Sequence, residues 1–96
     1  MIVLEIECSD GSKYTVSSST NDIVINKSAE EIHINHNNTK LSIVLTHITY
    51  VAIISEYNIF KLSFKQDEDK DSIYDRICMS LLNILNTHIS YLKGKL

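Results

Sequence analysis

The 96-residue sequence contains no proline, no tryptophan and only two glycines, Gly11 and Gly94. With so few glycines, the chain has no glycine-rich loop that could hold a phosphate group by its backbone N–H groups. The longest apolar run, residues 50–54, is far shorter than the roughly 18 to 20 residues that a membrane-spanning helix needs. The first eight residues have no basic start and carry Glu5 and Glu7, so we expect no signal peptide.

Basic residues are also scarce. The chain has nine lysines and arginines and twelve acidic residues, which gives a net charge of −3, and Arg76 is the only arginine. A nucleic-acid-binding protein needs a basic face that displaces counterions, and an anionic membrane surface attracts basic segments. We therefore expect neither a nucleic-acid nor a membrane partner.

The remaining composition is typical of a folded protein, with 44 % hydrophobic and 22 % charged residues. At this length we expect one domain spanning residues 1–96. Cys8 and Cys78 both lie in apolar runs, where cysteine usually acts as a small hydrophobic residue. We expect both thiols to be reduced and the protein to be cytoplasmic.

Apolar and polar residues alternate along residues 1–66, which predicts an antiparallel β region of about seven short strands. Ser9–Ser12 contains Asp10 and Gly11 and predicts the first hairpin turn. Residues 17–21 are polar and small and predict a loop, and Asn37 and Asn38 predict a later turn. The strands are predicted around seven groups of apolar residues: 2, 4 and 6; 14 and 16; 23 and 25; 32 and 34; 41, 43 and 45; 48–55; and 60, 62 and 64.

The sixth predicted strand, residues 48–55, differs from the others because it is apolar on both faces. We assign Tyr50, Ala52 and Ile54 to one face, and Val51 and Ile53 to the other. A strand of this kind is usually buried on both sides. Either two layers of the protein enclose it, or a partner covers the face that carries Val51 and Ile53.

From residue 71 the apolar spacing becomes helical and predicts one amphipathic helix over residues 71–93. Its apolar stripe includes Leu82, and its polar side includes Ser80. Ser72 followed by Asp75 resembles a capping box at the start of the helix. Acidic residues before the helix and two lysines at its end interact favourably with the helix dipole.

Together these patterns predict an α+β fold, with an antiparallel sheet or a partly closed barrel and one C-terminal helix packed on it. Seven strands followed by a capping helix in about 100 residues resembles the element order of pleckstrin-homology-like domains. The tryptophan often found in the helix of that family is absent, and the Ser9–Ser12 turn offers Asp10 where a phosphoinositide site would be basic. The resemblance therefore implies a topology and no site residues.

Residues with catalytic or metal-binding chemistry are scattered. His33 and His36 are three residues apart, which places them on opposite faces of a strand. His47 lies between the fifth and sixth strands, and a zinc site there would need a third ligand from Asp22, Glu30 or Glu31. His88 extends the helix stripe. Because no spacing matches a known catalytic motif, we expect no enzyme, no metal and no cofactor.

The remaining candidates are surface residues that a protein partner would contact. An exposed tyrosine at a turn is a typical interface anchor, and an acidic stretch can meet a basic patch. We predict a partner-binding site among Tyr57, Glu56, Asp67, Glu68, Val51 and Ile53.

The predicted function is a protein-binding module that acts by stoichiometric association, and a homodimer is compatible with it. Fifteen isoleucines, eight asparagines and eight lysines indicate an AT-rich gene, as in a phage, a mobile element or a low-GC bacterium. An inhibitor of the anti-defence or toxin-immunity type fits this origin. The alternatives are a structural subunit that assembles through a sheet edge or the sixth strand, and a small metal-dependent enzyme.

Overall fold

The computed structural model describes residues 2–18, 23–26, 30–36, 39–56 and 58–95, with the helix side chains described as far as Ile84. The chain forms seven strands, a short 3₁₀ helix (Leu45–His47) between the fifth and sixth strands, and one C-terminal α-helix. The elements are β1 (Ile2–Cys8), β2 (Lys13–Ser18), β3 (Ile23–Asn26), β4 (Glu31–His36), β5 (Thr39–Val44), β6 (Ile48–Ile54), β7 (Ile59–Ser63) and α1 (Lys70–Lys95).

The strands form two antiparallel sheets. The larger sheet has the order β2-β1-β6-β7 and the smaller has the order β3-β4-β5. β1 pairs with β2 along the first hairpin and with β6 from the far part of the chain. The described strands therefore match the predicted number and antiparallel direction, and the domain is a small α+β fold in which the larger sheet is not a simple meander.

The first hairpin turn is formed as its sequence predicts. Gly11 has φ +89°, a left-handed conformation that residues with a side chain rarely adopt. Its N–H donates to the Cys8 carbonyl at 3.0 Å, and the N–H of Ser12 donates to the Asp10 carboxylate at 2.9 Å. These bonds close the turn between β1 and β2.

Glu30 connects the smaller sheet to the rest of the domain. Its φ of 59° is also left-handed, which is uncommon for a residue with a side chain. Its carbonyl accepts a hydrogen bond from the Leu45 N–H at 2.8 Å, and its carboxylate forms an ion pair with Lys70. The hydrogen bond and the charge of Glu30 together raise the pKa of Lys70. Glu30 thus joins the start of β4 to the 3₁₀ helix and to the first turn of α1.

Both sheets and the helix contribute to one hydrophobic core. The inner faces of the two sheets supply residues such as Leu4 and Ile32, and the 3₁₀ helix supplies Leu45. The helix supplies Ile73, Ile77 and Ile84, which are spaced at four and seven residues and share one face. The core forms where apolar faces from all three parts meet.

The ends of several elements differ from the sequence prediction by a few residues. β2 continues to Ser18, into the predicted loop, because Ser17 and Ser18 pair with β1. Leu45 is buried in the 3₁₀ helix rather than in β5, and Phe64 is buried just after β7. The turn predicted at Asn37 and Asn38 lies outside the described residues.

The helix begins at Lys70, so the predicted capping box at Ser72 is wrong. The Ile73 N–H donates to the Asp69 carbonyl at 3.1 Å, which places Ser72 inside the first turn. Ser80, assigned to the polar side, is buried, and its hydroxyl donates to the Arg76 carbonyl at 2.9 Å. A serine fits the buried stripe because this bond satisfies its hydroxyl within the helix.

Candidate protein-binding surface

The two faces of β6 are oriented opposite to the sequence assignment. Val51 pairs with Ile6 and Leu62, whereas Ile53 pairs with Leu4 and Phe60. Paired residues on neighbouring strands point to the same side of a sheet, so Val51 and Ile53 share the inner face with these apolar residues.

Both side chains are 0 % exposed. The prediction that Val51 and Ile53 form a partner-binding face is therefore wrong. The protein's own core covers this face of β6.

The outer face of the larger sheet is apolar at one end. Val3 pairs with Ile54, and Ile54 pairs with Ile59, so the three side chains form a cross-strand row, hereafter the outer row. Val3 and Ile54 are partly buried, whereas Ile59 on the edge strand β7 is 61 % exposed. Isolated exposed aliphatic residues are common, but a continuous row that ends in an exposed isoleucine provides an apolar contact surface.

On the rest of this face, charged residues of the neighbouring strands flank the apolar residues of β6. In the next row Ala52 lies between Glu5 and Lys61. At the far end Glu7 forms a cross-strand ion pair with Lys13, with 3.2 Å between Oε1 and Nζ. The outer row is therefore bounded by charged residues on one side, the arrangement of an apolar patch with a polar rim.

The turn between β6 and β7 bounds the outer row on its other side. The Ser55 N–H donates to the Asn58 carbonyl at 2.9 Å, and the Asn58 N–H donates to Ser55 Oγ at 3.1 Å. These bonds hold a compact turn in which Glu56 is exposed, close in the chain to Ile59. Tyr57, the predicted aromatic anchor, lies outside the described residues.

The other two predicted contact residues lie at the opposite end of β7. Asp67 is exposed in the segment that connects β7 to α1. The structure does not bring Asp67 and Glu68 together with Glu56, because the whole length of β7 separates them.

Glu68 takes part in a network that attaches α1 to the larger sheet. Its Oε2 accepts hydrogen bonds from Arg76 Nη1 at 2.9 Å and from the Ser72 hydroxyl at 3.2 Å. Arg76 also donates to the Ser63 carbonyl at 3.1 Å, and its guanidinium lies 4.7 Å from the centre of the Phe64 ring. Burial raises the pKa of Glu68, but the hydrogen bonds from Arg76 and Lys65 outweigh it and hold the pKa below its usual range. Glu68 therefore has a structural role in this chain.

The histidines do not assemble a metal site in the part of the chain that the structure describes, which contains no group of three metal-ligating side chains. His33 lies on the outer face of β4, where its Nε2 is 3.6 Å from the Glu31 carboxylate. His47 lies beside the first hairpin, where its carbonyl accepts the Ser9 N–H at 2.8 Å. The side chains of His36 and His88 lie outside the described part.

The cysteines lack the environment of a reactive thiol. Burial raises the pKa of the Cys8 thiol, and the Asp10 carboxylate raises it further. Burial also raises the pKa of Cys78, although a hydrogen bond with Tyr74 lowers it in part. A nucleophilic cysteine needs a lowered pKa, because the thiolate is the reactive form. Neither position favours thiol catalysis.

Comparisons with known proteins identify no relatives: no protein family, no curated protein and no solved structure matches the chain significantly. Among the described residues, no helix is both long and apolar enough to cross a membrane.

The exposed Ile59 and the outer row were missed by the sequence reasoning. The apolar spacing of β6 is compatible with either face pointing inward, and only the pairing with β1 and β7 decides between them. One signal was present: in β7, the face with Phe60 and Leu62 is more apolar than the face with Ile59 and Lys61. That difference leaves Ile59 as an outward-facing isoleucine among polar residues.

Proposed function

We propose that this chain is a non-enzymatic protein-binding module, and that its partner contacts the outer row together with Glu56. The observation that carries the proposal is the cross-strand apolar row of Val3, Ile54 and Ile59, which ends in the exposed Ile59 on the edge strand β7. Interfaces of this kind combine an apolar centre with a charged rim.

The charges around the row define the partner's chemistry. Glu56 at the turn and Glu5 in the next row are both exposed, and Lys61 lies beside them on β7. A partner surface with an apolar centre and a basic residue facing Glu56 would complement this patch. Tyr57 is part of the proposal on the basis of its place in the sequence, between Glu56 and Ile59.

We place the chain among stoichiometric inhibitors encoded by phages, mobile elements or low-GC bacteria, of the anti-defence or toxin-immunity type. This narrower proposal is an analogy supported by the small size, the net negative charge and the AT-rich composition. Cys8 and Cys78 are both free rather than joined in a disulfide, which supports a reducing compartment, so the proposed location is the cytoplasm.

The test is affinity capture of the tagged chain from a lysate of the cells that produce it, with proteins identified by mass spectrometry. The variant is Ile59→Asp, which places a charge in the centre of the outer row. The matched control is Val24→Asp, because Val24 is also an exposed aliphatic residue on an edge strand, 54 % exposed, but belongs to the smaller sheet.

The proposal predicts that the original chain and the Val24→Asp variant each capture one dominant partner protein, in an amount close to that of the tagged chain. The Ile59→Asp variant should not capture this partner. Capture of the same protein by all three chains would place the contact elsewhere. Recovery of the chain alone would contradict the proposal and favour self-assembly.

A further inference from the structure

The backbone of the edge strand β7 bonds to β6 on one side only. At the two ends of this strand pair, the Ser55 N–H donates to the Asn58 carbonyl and the Phe64 N–H donates to the Thr49 carbonyl, both at 2.9 Å. Bonded and non-bonded residue pairs alternate along an antiparallel ladder. Both end bonds fit the register of the two strands, so the even-numbered residues of β7 are the ones that bond to β6.

The odd-numbered residues of β7 therefore direct their backbone N–H and carbonyl groups away from β6. These residues are Ile59, Lys61 and Ser63, and all three are exposed. The direction is supported independently by Arg76 of α1, whose Nη1 donates to the Ser63 carbonyl at 3.1 Å. No described strand pairs with this side of β7. The N–H and carbonyl groups of Ile59 and Lys61 thus form an open strand edge, hereafter the β7 edge.

An open strand edge is a template for one more strand. We propose that a segment of the partner protein adds to the larger sheet as an extended strand beside β7, with hydrogen bonds to the backbone of Ile59 and Lys61. The segment would have about the length of β7 itself, which is five residues. This inference rests on the proposed function and specifies how the partner is bound.

The outer row favours β7 over the opposite edge of the larger sheet. The row is apolar up to Ile59 on β7, whereas on the edge strand β2 the next residue in the row is Ser17, which pairs with Val3. A strand added beside β7 places a side chain next to Ile59 and extends the apolar row by one strand. A strand added beside β2 would meet a serine there instead.

The charge of Lys61 specifies a second side chain of the partner segment. Among the described residues, no carboxylate forms an ion pair with Lys61. An acidic residue opposite Lys61 and an aliphatic residue opposite Ile59 would complement the β7 edge. Ile59 and Lys61 are two positions apart and share the outer face of the sheet. The expected partner segment therefore carries an aliphatic and an acidic residue with one residue between them.

The same lysine disfavours a second copy of this chain as the added strand. A two-fold pair of β7 strands that covers the whole edge would place Lys61 directly opposite its own copy. Like charges in that position destabilise a sheet, and a lysine on an edge strand is a common protection against pairing between copies. The β7 edge is therefore assigned to a different protein.

The substitution Lys61→Pro tests the edge, because proline has no N–H. The N–H of Lys61 points away from β6, so the bonds within the larger sheet are kept, and edge strands accept proline at such positions. Lys61→Thr is the control for the loss of charge, since threonine keeps the N–H and favours strands. Thr15→Pro is the control for proline on the opposite edge. The Cys8 N–H donates to the Ser12 carbonyl, and the same alternation directs the Thr15 N–H away from β1.

Calorimetric titration with the purified captured partner compares these chains, and circular dichroism melting verifies that each is folded. Lys61→Pro is expected to bind at least about tenfold more weakly than Lys61→Thr, because it removes a donor and places the proline ring against the added strand. Thr15→Pro should bind like the original chain. Equal affinities for folded Lys61→Pro and Lys61→Thr would overturn the inference, and the effect of Ile59→Asp would still decide whether the outer row is the contact.

Amide hydrogen exchange of the original chain, followed by NMR, is a second test that needs no variant. In the free chain the amides of Ile59 and Lys61 should exchange faster than those of Phe60 and Leu62, because only the latter two bond to β6. The partner should slow the exchange of Ile59 and Lys61 at least about tenfold. Exchange at these two amides that the bound partner leaves unchanged would overturn the inference.

The remaining outcomes separate this inference from the proposed function. Slower exchange of Ile59 and Lys61 in the chain alone, increasing with its concentration, would overturn the inference and assign the β7 edge to a second copy. A failure of the original chain to capture any partner would contradict the proposed function itself, and the inference with it.

Discussion

From the orientation of β6 and β7 we expect opposite effects on stability when two isoleucines of the larger sheet are truncated. Ile53 is fully buried between Leu4 and Phe60, whereas Ile59 is mostly exposed on the outer face. Truncation of a buried isoleucine to alanine typically costs about 2–5 kcal/mol, because it removes buried methyl groups and leaves a cavity. Truncation of an exposed residue usually changes stability by less than about 0.5 kcal/mol.

The cost of truncating the buried Ile53 is large compared with the free energy of unfolding of a domain of this size. At about 0.05–0.15 kcal/mol per residue, a chain of 96 residues has a free energy of unfolding of about 5–14 kcal/mol. Ile53→Ala should therefore remove a large fraction of the stability and lower Tm by at least about 8 °C. Ile59→Ala should leave Tm within about 3 °C of the original.

Urea unfolding and thermal melting, both followed by circular dichroism, measure the two variants under the same conditions. A small cost for Ile53→Ala together with a large cost for Ile59→Ala would refute the assigned faces of β6 and β7, and the outer row with them. Similar large costs for both would show that Ile59 is buried.

Three further predictions concern the turns and the helix attachment. Gly11→Ala should lower the free energy of unfolding by about 1–2 kcal/mol, because an added Cβ has open space but the left-handed backbone becomes strained; no loss in urea unfolding would contradict the turn. Glu30→Gly should be about 1 kcal/mol more stable than Glu30→Ala, since both remove the ion pair to Lys70 and only glycine fits φ 59°; equal stabilities would refute the strain. The lowered pKa of Glu68 means that its contribution is present above the pKa of the unfolded chain and is lost as the pH falls through the lower folded pKa. Melting from pH 7 to pH 3 should therefore show a smaller acid-induced loss of Tm in Glu68→Gln than in the original chain or in the Asp67→Asn control, and identical pH profiles would contradict the Arg76 network.

The sequence predicts those features of the fold that depend only on residues close together in the chain. The first hairpin depends on four adjacent residues, and Gly11 adopts the conformation expected of it. The helix depends on a periodic pattern within one segment, and it is found within two residues of the predicted ends. Signals of this kind need no information from distant parts of the chain.

The assignment of faces in β6 is of another kind. Tyr50, Ala52 and Ile54 are as compatible with a core as Val51 and Ile53, and the choice depends on β1, which lies more than forty residues earlier in the chain. Glu68 was predicted to meet a partner because nothing in the sequence shows that Arg76 reaches it across the first turns of the helix. The outer row could not be predicted, since its three residues come from three strands and meet only when the sheet has formed.

The central claim is that this chain acts by binding one partner protein through the outer row, and calorimetric titration with the purified captured partner tests it most directly. The account predicts saturation at a fixed molar ratio, an unchanged affinity for Val24→Asp, and an affinity at least about tenfold weaker for Ile59→Asp. If the heat continued without saturation at amounts of the chain well below those of the partner, the chain would be turning the partner over, and binding without chemistry would be contradicted. Equal affinities for the original chain and Ile59→Asp would contradict the location of the contact.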